Sequence, residues 1–212
     1  MPPELVRDLL TVVGARVQQE LRGVSCLPLQ MMTPTRKGLA VTRAFGRPVA
    51  TWPEMREAVA AYATRAAEKL RAEGLEAGHL TVFLHTNPHN GDPWHSGQRA
   101  ARIEPTADTR DLIQAAIRLL EPLWRDGFKY VKTGILLNDL SPEQIQARMF
   151  VSRDPTASRR AMALLDAVNK THGAGTLRPA STGTTRSWGA KASRRSPRYT
   201  TRIEEIMGAR VW

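Results

Sequence analysis

The chain has 212 residues and a formal net charge of +11, and 42% of its residues are hydrophobic. That length suits one medium domain with additions or two small domains, and that hydrophobic fraction excludes global disorder. No stretch approaches the roughly 20 apolar residues of a membrane span, and the amino terminus lacks a signal-peptide pattern. The single cysteine, Cys26, excludes an internal disulfide. We therefore expect a folded cytoplasmic protein.

The first 36 residues predict a helix followed by a tether. Apolar residues recur at helical spacing over Glu4–Arg22 and form one stripe, which needs a partner to cover it. Residues 24–36 contain Pro28 and Pro34 and show no clear period, which indicates a connecting segment.

Residues 37–140 predict a compact unit with the element order β-α-β-β-α-β. The predicted strands are Gly38–Phe45, His79–Thr86, Gln98–Glu104 and Lys129–Asn138, and the predicted helices run from Thr51 to about Arg71 and from Thr106 or Asp108 to about Trp124. This split unit belongs to the α+β class and forms a four-stranded antiparallel sheet with two helices on one face. The other face of the sheet is left open.

Two local patterns mark the start of the first helix in this unit. Gly46–Pro48 has the composition of a turn that leaves the first strand. Thr51 and Glu54 have the spacing of a capping box, in which each side chain satisfies a backbone amide of the first helical turn.

The positive charge is concentrated in the last third of the chain. Residues 151–212 hold twelve Lys and Arg against four Asp and Glu, which places +8 of the total +11 there. The stretch Lys170–Arg202 has eight basic residues and no acidic one. Such a segment favours a phosphate-rich partner, although a solvated tail that only aids solubility has the same composition.

A linker, residues 141–157, separates the sheet unit from this basic region and contains Gln146-Ala-Arg-Met149-Phe150. This pentapeptide resembles, in degenerate form, the peptide by which bacterial replication proteins dock on the sliding clamp. The Gln146 amide would bind the rim of a pocket, and Met149 and Phe150 would fill an apolar cleft for roughly 1.5–3 kcal/mol each before ordering costs.

Several further segments resemble the UmuC family of translesion DNA polymerases, which belongs to the Y family. They are Glu20-Leu-Arg-Gly23 with Cys26, Arg43-Ala-Phe-Gly46, Tyr62–Arg71, Thr86-Asn-Pro88, Gly134–Asp139, Leu165–Asn169, Ser187-Trp188 and Ser196–Thr201. The resemblance implies a thumb-like helix remnant in residues 1–23, a DNA-binding little-finger domain in residues 37–140, and a basic UmuC carboxy-terminal domain in residues 158–212.

The resemblance also implies a function in SOS DNA repair and mutagenic lesion bypass. Partners would be primer–template DNA bound without regard to sequence, the sliding clamp, a UmuD-like dimer and a RecA-type recombinase, in the cytoplasm at the nucleoid. The family holds its Mg²⁺ in a palm domain, and the chain has no replacement for the palm carboxylates, so we expect no catalytic residue, no cofactor and no polymerase activity from this chain alone. The acidic pairs Asp108 with Asp111, Glu204 with Glu205, and Asn138-Asp139 are interpreted as structural.

The candidate DNA-binding residues are basic side chains that can contact phosphates. They are Arg43, Arg47, Arg99, Arg102 and Lys132 on or beside the strands, and Arg186, Lys191, Arg194, Arg195 and Arg198 in the basic segment. The alternative for each strand residue is a solvated edge charge that discourages aggregation. Trp188 and Tyr199 lie among the basic residues, and either stack on exposed bases or form the small core of the last domain.

Two other functions compete with DNA binding. His85, His89, Asp92 and His95 fall within eleven residues and include zinc-ligating types, but most lie on a Pro/Gly loop, which is a poor support for a metal. A general basic RNA-binding protein would have the same charge, and it would prefer single-stranded RNA to primer–template DNA.

Overall fold

The computed structural model describes residues 2–29, 31, 35–143, 154–192 and 195–208. The chain forms two compact units, of which the first ends at Thr35 and the second, here called the main unit, begins at Arg36. The two units are described separately.

The first unit contains the predicted helix, α1, at Pro3–Leu21. Its apolar side chains are mostly exposed, and Leu9 and Val13 retain 64% and 63% of their accessible surface. Thr11 interrupts the helix with φ 65° and ψ −176°, an uncommon conformation for a β-branched residue. Residues 24–29 form no helix or strand.

The main unit contains a four-stranded sheet with the strand order β1-β4-β2-β3, and every neighbouring pair is antiparallel. The strands are β1 (Gly38–Val49), β2 (Leu75–Thr86), β3 (Ser96–Thr106) and β4 (Tyr130–Pro142), and the helices are α2 (Trp52–Ala72), α3 (Thr109–Leu120) and α4 (Pro155–His172). The predicted α+β fold class and the split βαββαβ order are therefore confirmed.

The core lies between one face of the sheet and the helices α2 and α3. The predicted helix positions Val59, Tyr62, Ala66, Leu70, Leu112, Ile113, Ala116 and Leu120 are all buried, and they pack with Leu80, Val82 and Leu84 of β2. Ile117, also predicted to be buried, is only partly so. Each fully buried large side chain stabilises the fold by about 1.5–3 kcal/mol relative to an exposed one.

The turn predicted at Gly46–Pro48 is wrong, because β1 continues to Val49 with a shift of register after Ala44. The backbone amide of Gly46 donates a hydrogen bond to the carbonyl of Trp188 at 3.0 Å. A distant segment thus pairs with the strand edge here, and an edge position also tolerates a proline, which lacks an N–H.

The predicted capping box at α2 does not form. The Thr51 hydroxyl donates to the Glu54 carboxylate at 3.1 Å and caps no backbone amide. Glu54 faces Arg47 and Ser187 instead, so its carboxylate is not available to the backbone.

Helix α3 has a capped start, and the cap is Asp108 rather than Thr106. The Asp108 carboxylate accepts from the backbone amide of Arg110 at 2.7 Å, while the Thr106 hydroxyl accepts from the amide of Asp108 at 3.0 Å. The helix ends at Leu120 and is followed by a 3-10 turn, Glu121–Leu123, so the predicted end near Trp124 is about four residues late.

Two parts of the basic carboxy-terminal segment pack against α2, α3 and the edge of β1. Helix α4 contacts the start of α3, where the amide of Thr109 donates to the Met162 sulfur at 3.4 Å. Residues 177–192, here called the arm, continue to the amino-terminal half of α2, and the indole of Trp188 enters the main core with 4% of its surface exposed.

Candidate nucleic-acid interface

The face of the sheet opposite α2 and α3 carries polar and small side chains. Antiparallel partners share a face, and the alternation of buried residues along β2 fixes which face each position belongs to. The positions on this open face are Gly38, Ala40, Thr42 and Ala44 of β1, His79, Thr81, Phe83 and His85 of β2, Ser96, Gln98, Ala100 and Arg102 of β3, and Lys132, Gly134, Leu136 and Asn138 of β4. None of these paired positions is Asp or Glu, although Glu104 lies on the same face two residues beyond Arg102.

Arg102 and Lys132 are the two predicted DNA-binding residues that share the open face. Arg102 pairs with His79 and Lys132 with His85, which places them about 20 Å apart along the direction of β2. Neither forms an ion pair with another residue in the part of the chain that the structure describes. They can therefore contact two phosphates that lie several nucleotides apart.

Arg43 and Arg99 lie on the opposite side of the sheet, at its two edges. Arg43 pairs with Thr133 and Arg99 with Val82, and both partners are buried beneath the helices. Both arginines belong to edge strands, which lets their side chains reach solvent. The strand residues predicted to bind DNA thus do not form one surface.

Arg47 binds other protein groups. Its guanidinium pairs with Glu54 and donates to the Ser187 hydroxyl at 2.8 Å. Burial alone would raise the pKa of the Glu54 carboxyl, but hydrogen bonds from Arg47, Ser187 and Thr51 outweigh it and hold that pKa below its ordinary value. Arg47 therefore joins β1, α2 and the arm.

An aromatic pair lies at the centre of the open face. The rings of Phe83 and His85 stack at 6.3 Å between centroids with 14° between planes. A Cβ added to Gly134 would lie 2.5 Å from the Thr42 methyl carbon and 2.8 Å from the Phe83 ring, so there is no room for a side chain at this position between Thr42 and Phe83. Sequence reasoning missed this pair, although an aromatic residue alternating with Leu80, Val82 and Leu84 was the signal.

The predicted basic residues of the carboxy-terminal segment have different environments. Arg186, Lys191 and Arg195 are exposed, whereas Arg198 pairs with Glu205, from its Nε at 3.0 Å and its backbone amide at 2.6 Å. Arg194 lies outside the described residues.

The two aromatic residues of that segment also differ. Trp188 packs against the rings of Phe45 and Tyr62 at 6.0 and 5.7 Å and belongs to the core of the main unit. It is not exposed for base stacking. Tyr199 has 41% of its surface exposed and remains accessible.

The clamp-binding peptide with Gln146, Met149 and Phe150 lies outside the described residues. Its interpretation stays a prediction.

The four residues of the rival zinc hypothesis point to different partners. The His95 Nδ1 lies 2.9 Å from the Tyr130 hydroxyl, and Asp92 pairs with Lys129 at 3.1 Å. Burial lowers the pKa of His95, and the nearby Arg125 lowers it further. Among the described residues, no group of three or more His, Cys, Asp or Glu side chains is placed to hold a metal ion.

The described carboxylates do not fit a pair of Mg²⁺ ions either. Asp108 caps α3 and binds Arg110 and Ser158, and Glu205 binds Arg198. We therefore derive no metal-dependent step for these residues. No helix within the described ranges combines the length and the hydropathy needed to cross a bilayer.

The main unit is thus an α+β domain with a basic open face and a carboxy-terminal segment packed on its helices. Residues 36–149 match the impB/mucB/samB family C-terminal domain, and residues 159–209 match a domain of unknown function, DUF4113. The chain belongs to the impB/mucB/samB family and corresponds to a UmuC-like carboxy-terminal region.

Curated relatives align along nearly the whole chain. It is 38% identical over 207 residues to Protein UmuC of Salmonella typhimurium, covering 96% of the chain and 49% of the relative. It is 38% identical to Protein SamB of the same species, covering 99% and 50%, and 36% identical to Protein MucB of Escherichia coli, covering 93% and 47%. The chain therefore spans about half the length of the curated relatives it matches.

Proposed function

We propose that this chain is the DNA-holding and clamp-recruiting region of a UmuC-like translesion DNA polymerase. The main support for the proposal is the open face of the sheet. Arg102 and Lys132 lie there, and none of the positions that pair between strands on this face is acidic. Family membership supports DNA as the polyanion.

The open face suits a polymerase that must continue past damaged bases. Phosphate contacts position a protein on DNA without reading the sequence. Small side chains such as Ala40, Thr42 and Ala100 let a backbone approach the sheet closely, and the Phe83–His85 pair offers an apolar surface beside the sugars.

DNA binding is tested by removing the two charges of the open face. In R102Q/K132Q, the slope of log affinity against log salt for a primer–template duplex becomes about 1.8 shallower, since each phosphate contact contributes about 0.9. Fluorescence anisotropy across a salt series measures this slope. The matched control is R118Q/K170Q, which removes two exposed basic residues located on α3 and α4. An equal change in both variants, or a preference for single-stranded RNA over the duplex, contradicts the proposal.

Clamp recruitment is a separate part of the proposal and has its own test. Replacement of Gln146 and Phe150 by Ala is expected to abolish binding to an immobilised sliding clamp while DNA affinity is retained. Unchanged clamp binding would refute this part alone.

Lesion bypass needs the Mg²⁺-dependent catalysis of the palm domain of a full-length polymerase. The DNA-holding role that we propose for this chain needs no cofactor. Primer extension by the purified chain with Mg²⁺ should therefore give no product. Extension of the primer would show that catalytic residues lie within these 212 residues. A UmuD-like dimer, a RecA-type recombinase and a cytoplasmic location at the nucleoid belong to the same proposal.

A further inference from the structure

The arm lies directly against the edge of the sheet at Gly46. The Gly46 amide donates to the Trp188 carbonyl at 3.0 Å. A Cβ added to Gly46 would be 2.1 Å from the carbonyl oxygen of Gly189 and 3.0 Å from the backbone nitrogen of Lys191. Lys191 of the arm is therefore a direct neighbour of β1.

The side chains of Ser187 and Trp188 fix the arm beside this contact. The Ser187 hydroxyl accepts from Arg47 at 2.8 Å and donates to Glu54 at 3.0 Å. The Trp188 indole is buried in the core and donates its N–H to Glu57 at 3.0 Å. The residues on either side, Arg186 and Lys191, are thus held in place by the backbone between them.

Arg43 of β1 and Arg186 of the arm each stand two residues before a member of one aromatic contact, that of Phe45 with Trp188 at 6.0 Å. Burial raises the pKa of Tyr62 to about 12, and the positive charges of Arg43 and Arg186 lower it in part. Tyr62 thus keeps its proton at neutral pH and can donate a hydrogen bond. The ring of Tyr62 also contacts Trp188 at 5.7 Å, which places the arm at the same point.

These basic side chains are exposed and lack acidic partners. Within the described residues, Arg43, Arg186 and Lys191 form no ion pair. Of the two α2 carboxylates that contact the arm, Glu54 is paired with Arg47. Glu57 accepts the Trp188 indole N–H and keeps its negative charge, so one carboxylate stands against three basic side chains. The positive potential at this edge is therefore available to an external anion.

We propose that Arg43, Arg186 and Lys191 form one composite phosphate-binding site for the backbone of duplex DNA. The site deepens the proposed function and rests on it. It lies at the β1 edge on the helix side of the sheet, away from the open face with Arg102 and Lys132. Guanidinium groups bind phosphate oxygens in a bidentate manner, and the lysine adds a point charge.

The site gives the basic segment a specific role. Two of its three basic residues come from residues 159–209, the region that matches a domain of unknown function. In this view, that region completes a DNA contact that the sheet unit begins with Arg43.

The test compares the salt dependence of primer–template binding between the unaltered chain and R43Q/R186Q. Two lost phosphate contacts make the slope about 1.8 shallower. R118Q/K170Q removes the same charge elsewhere and should have a slope closer to that of the unaltered chain. R43K/R186K keeps both charges and should recover most of the slope, which separates loss of charge from loss of folding.

The possible outcomes are distinguishable. DNA binding by the unaltered chain together with an equal slope change in R43Q/R186Q and R118Q/K170Q refutes this site and leaves the open-face proposal standing. Absence of duplex binding by the unaltered chain refutes the proposed function and this site together. If the site is correct, combining R43Q/R186Q with R102Q/K132Q gives slope changes that add, since the two sites are separate.

Discussion

Gly46 determines whether the arm can lie on the sheet edge. The Gly189 carbonyl oxygen would be 2.1 Å from a Cβ at position 46, which is far inside van der Waals contact, and the obstacle is backbone that cannot rotate away. The contact also carries the hydrogen bond between Gly46 and Trp188. A methyl group at this residue must therefore displace the arm.

Gly46→Ala should lower the free energy of unfolding by about 1–3 kcal/mol, the usual cost of overpacking. Urea denaturation measures this loss, and hydrogen exchange should show faster opening at the Gly46 amide. Gly208→Ala is the matched control, since a Cβ there meets nothing within 4 Å. Equal stability of the two variants would contradict the arm placement.

Asp108 stabilises the fold through its ionised form. Burial alone would raise its pKa, but hydrogen bonds from Arg110, Ser158 and the Arg110 backbone amide hold that pKa at about 2, against an ordinary 3.8. A carboxyl with a depressed pKa in the folded state stabilises the protein above its unfolded pKa and loses this contribution as the pH falls through the folded value.

Asp108→Asn keeps an acceptor for the helix cap but removes the charge that binds the Arg110 guanidinium, and it should therefore lower the free energy of unfolding by about 1–3 kcal/mol at neutral pH. The difference from the unaltered chain should shrink between about pH 4 and pH 2, as urea denaturation at several pH values can show. Glu121→Gln, at an exposed carboxylate, should show neither effect. A difference that does not vary with pH would contradict the role of the ionised form.

At the scale of elements, α4 is held on the helix layer by Arg71. Its guanidinium donates to both carboxylate oxygens of Asp166 at 2.7 Å, to the Ala107 carbonyl at 2.8 Å and to the Thr109 hydroxyl at 2.9 Å. The Arg71 side chain is only 13% exposed. One arginine thus connects α2, the start of α3 and α4.

Asp166→Ala should destabilise the protein by about 1–3 kcal/mol, since it leaves a largely buried guanidinium with fewer acceptors. Limited proteolysis should also cut α4 faster. Glu68→Ala removes the partner of the exposed Arg65 and should cost about 0.2–1 kcal/mol. A similar small loss in both variants would show that α4 is not held by this pair.

The elements differ in how far the sequence could predict them. Helices α2 and α3 are long and periodic, so the positions predicted to be buried are buried, apart from the partly buried Ile117. Helix α2 also buries residues that the pattern does not single out, among them Met55 and Ala58. The face of the sheet on which a basic residue lies could also be predicted from strand alternation. Arg43, for example, follows Leu39 and Val41 at period two and therefore belongs to the same face as these buried residues. The arm could not be predicted, since Gly46 and Trp188 are far apart in sequence and no local pattern indicates that they meet. The clamp-binding peptide lies outside the described residues and stays a prediction.

At the scale of the whole molecule, the basic segment contributes to the core of the main unit. Trp188 contacts Phe45 of β1 and Tyr62 of α2, and Glu57 of α2 accepts its indole N–H. Two domains divided at residues 141–157 would each need a core of their own. The contacts instead predict that the sheet unit and the basic segment unfold together.

We therefore expect the main unit to unfold in one cooperative transition. Trp188→Ala should lower the free energy of unfolding in that transition by about 3–5 kcal/mol, the usual cost of deleting a buried aromatic side chain. Urea denaturation monitored by circular dichroism measures the number of transitions and the free energy of unfolding. Hydrogen exchange in α2 and in the arm shows whether the two parts open together. Trp94→Ala is the matched control, because that indole is 66% exposed and its loss should change stability by no more than about 0.5 kcal/mol.

Two separated transitions, with Trp188→Ala affecting only the transition at the lower urea concentration, would show that residues 37–140 and 158–212 are independent domains. A single transition would mean that the sheet unit and the arm fold as one cooperative unit, with the arm's basic residues held beside β1.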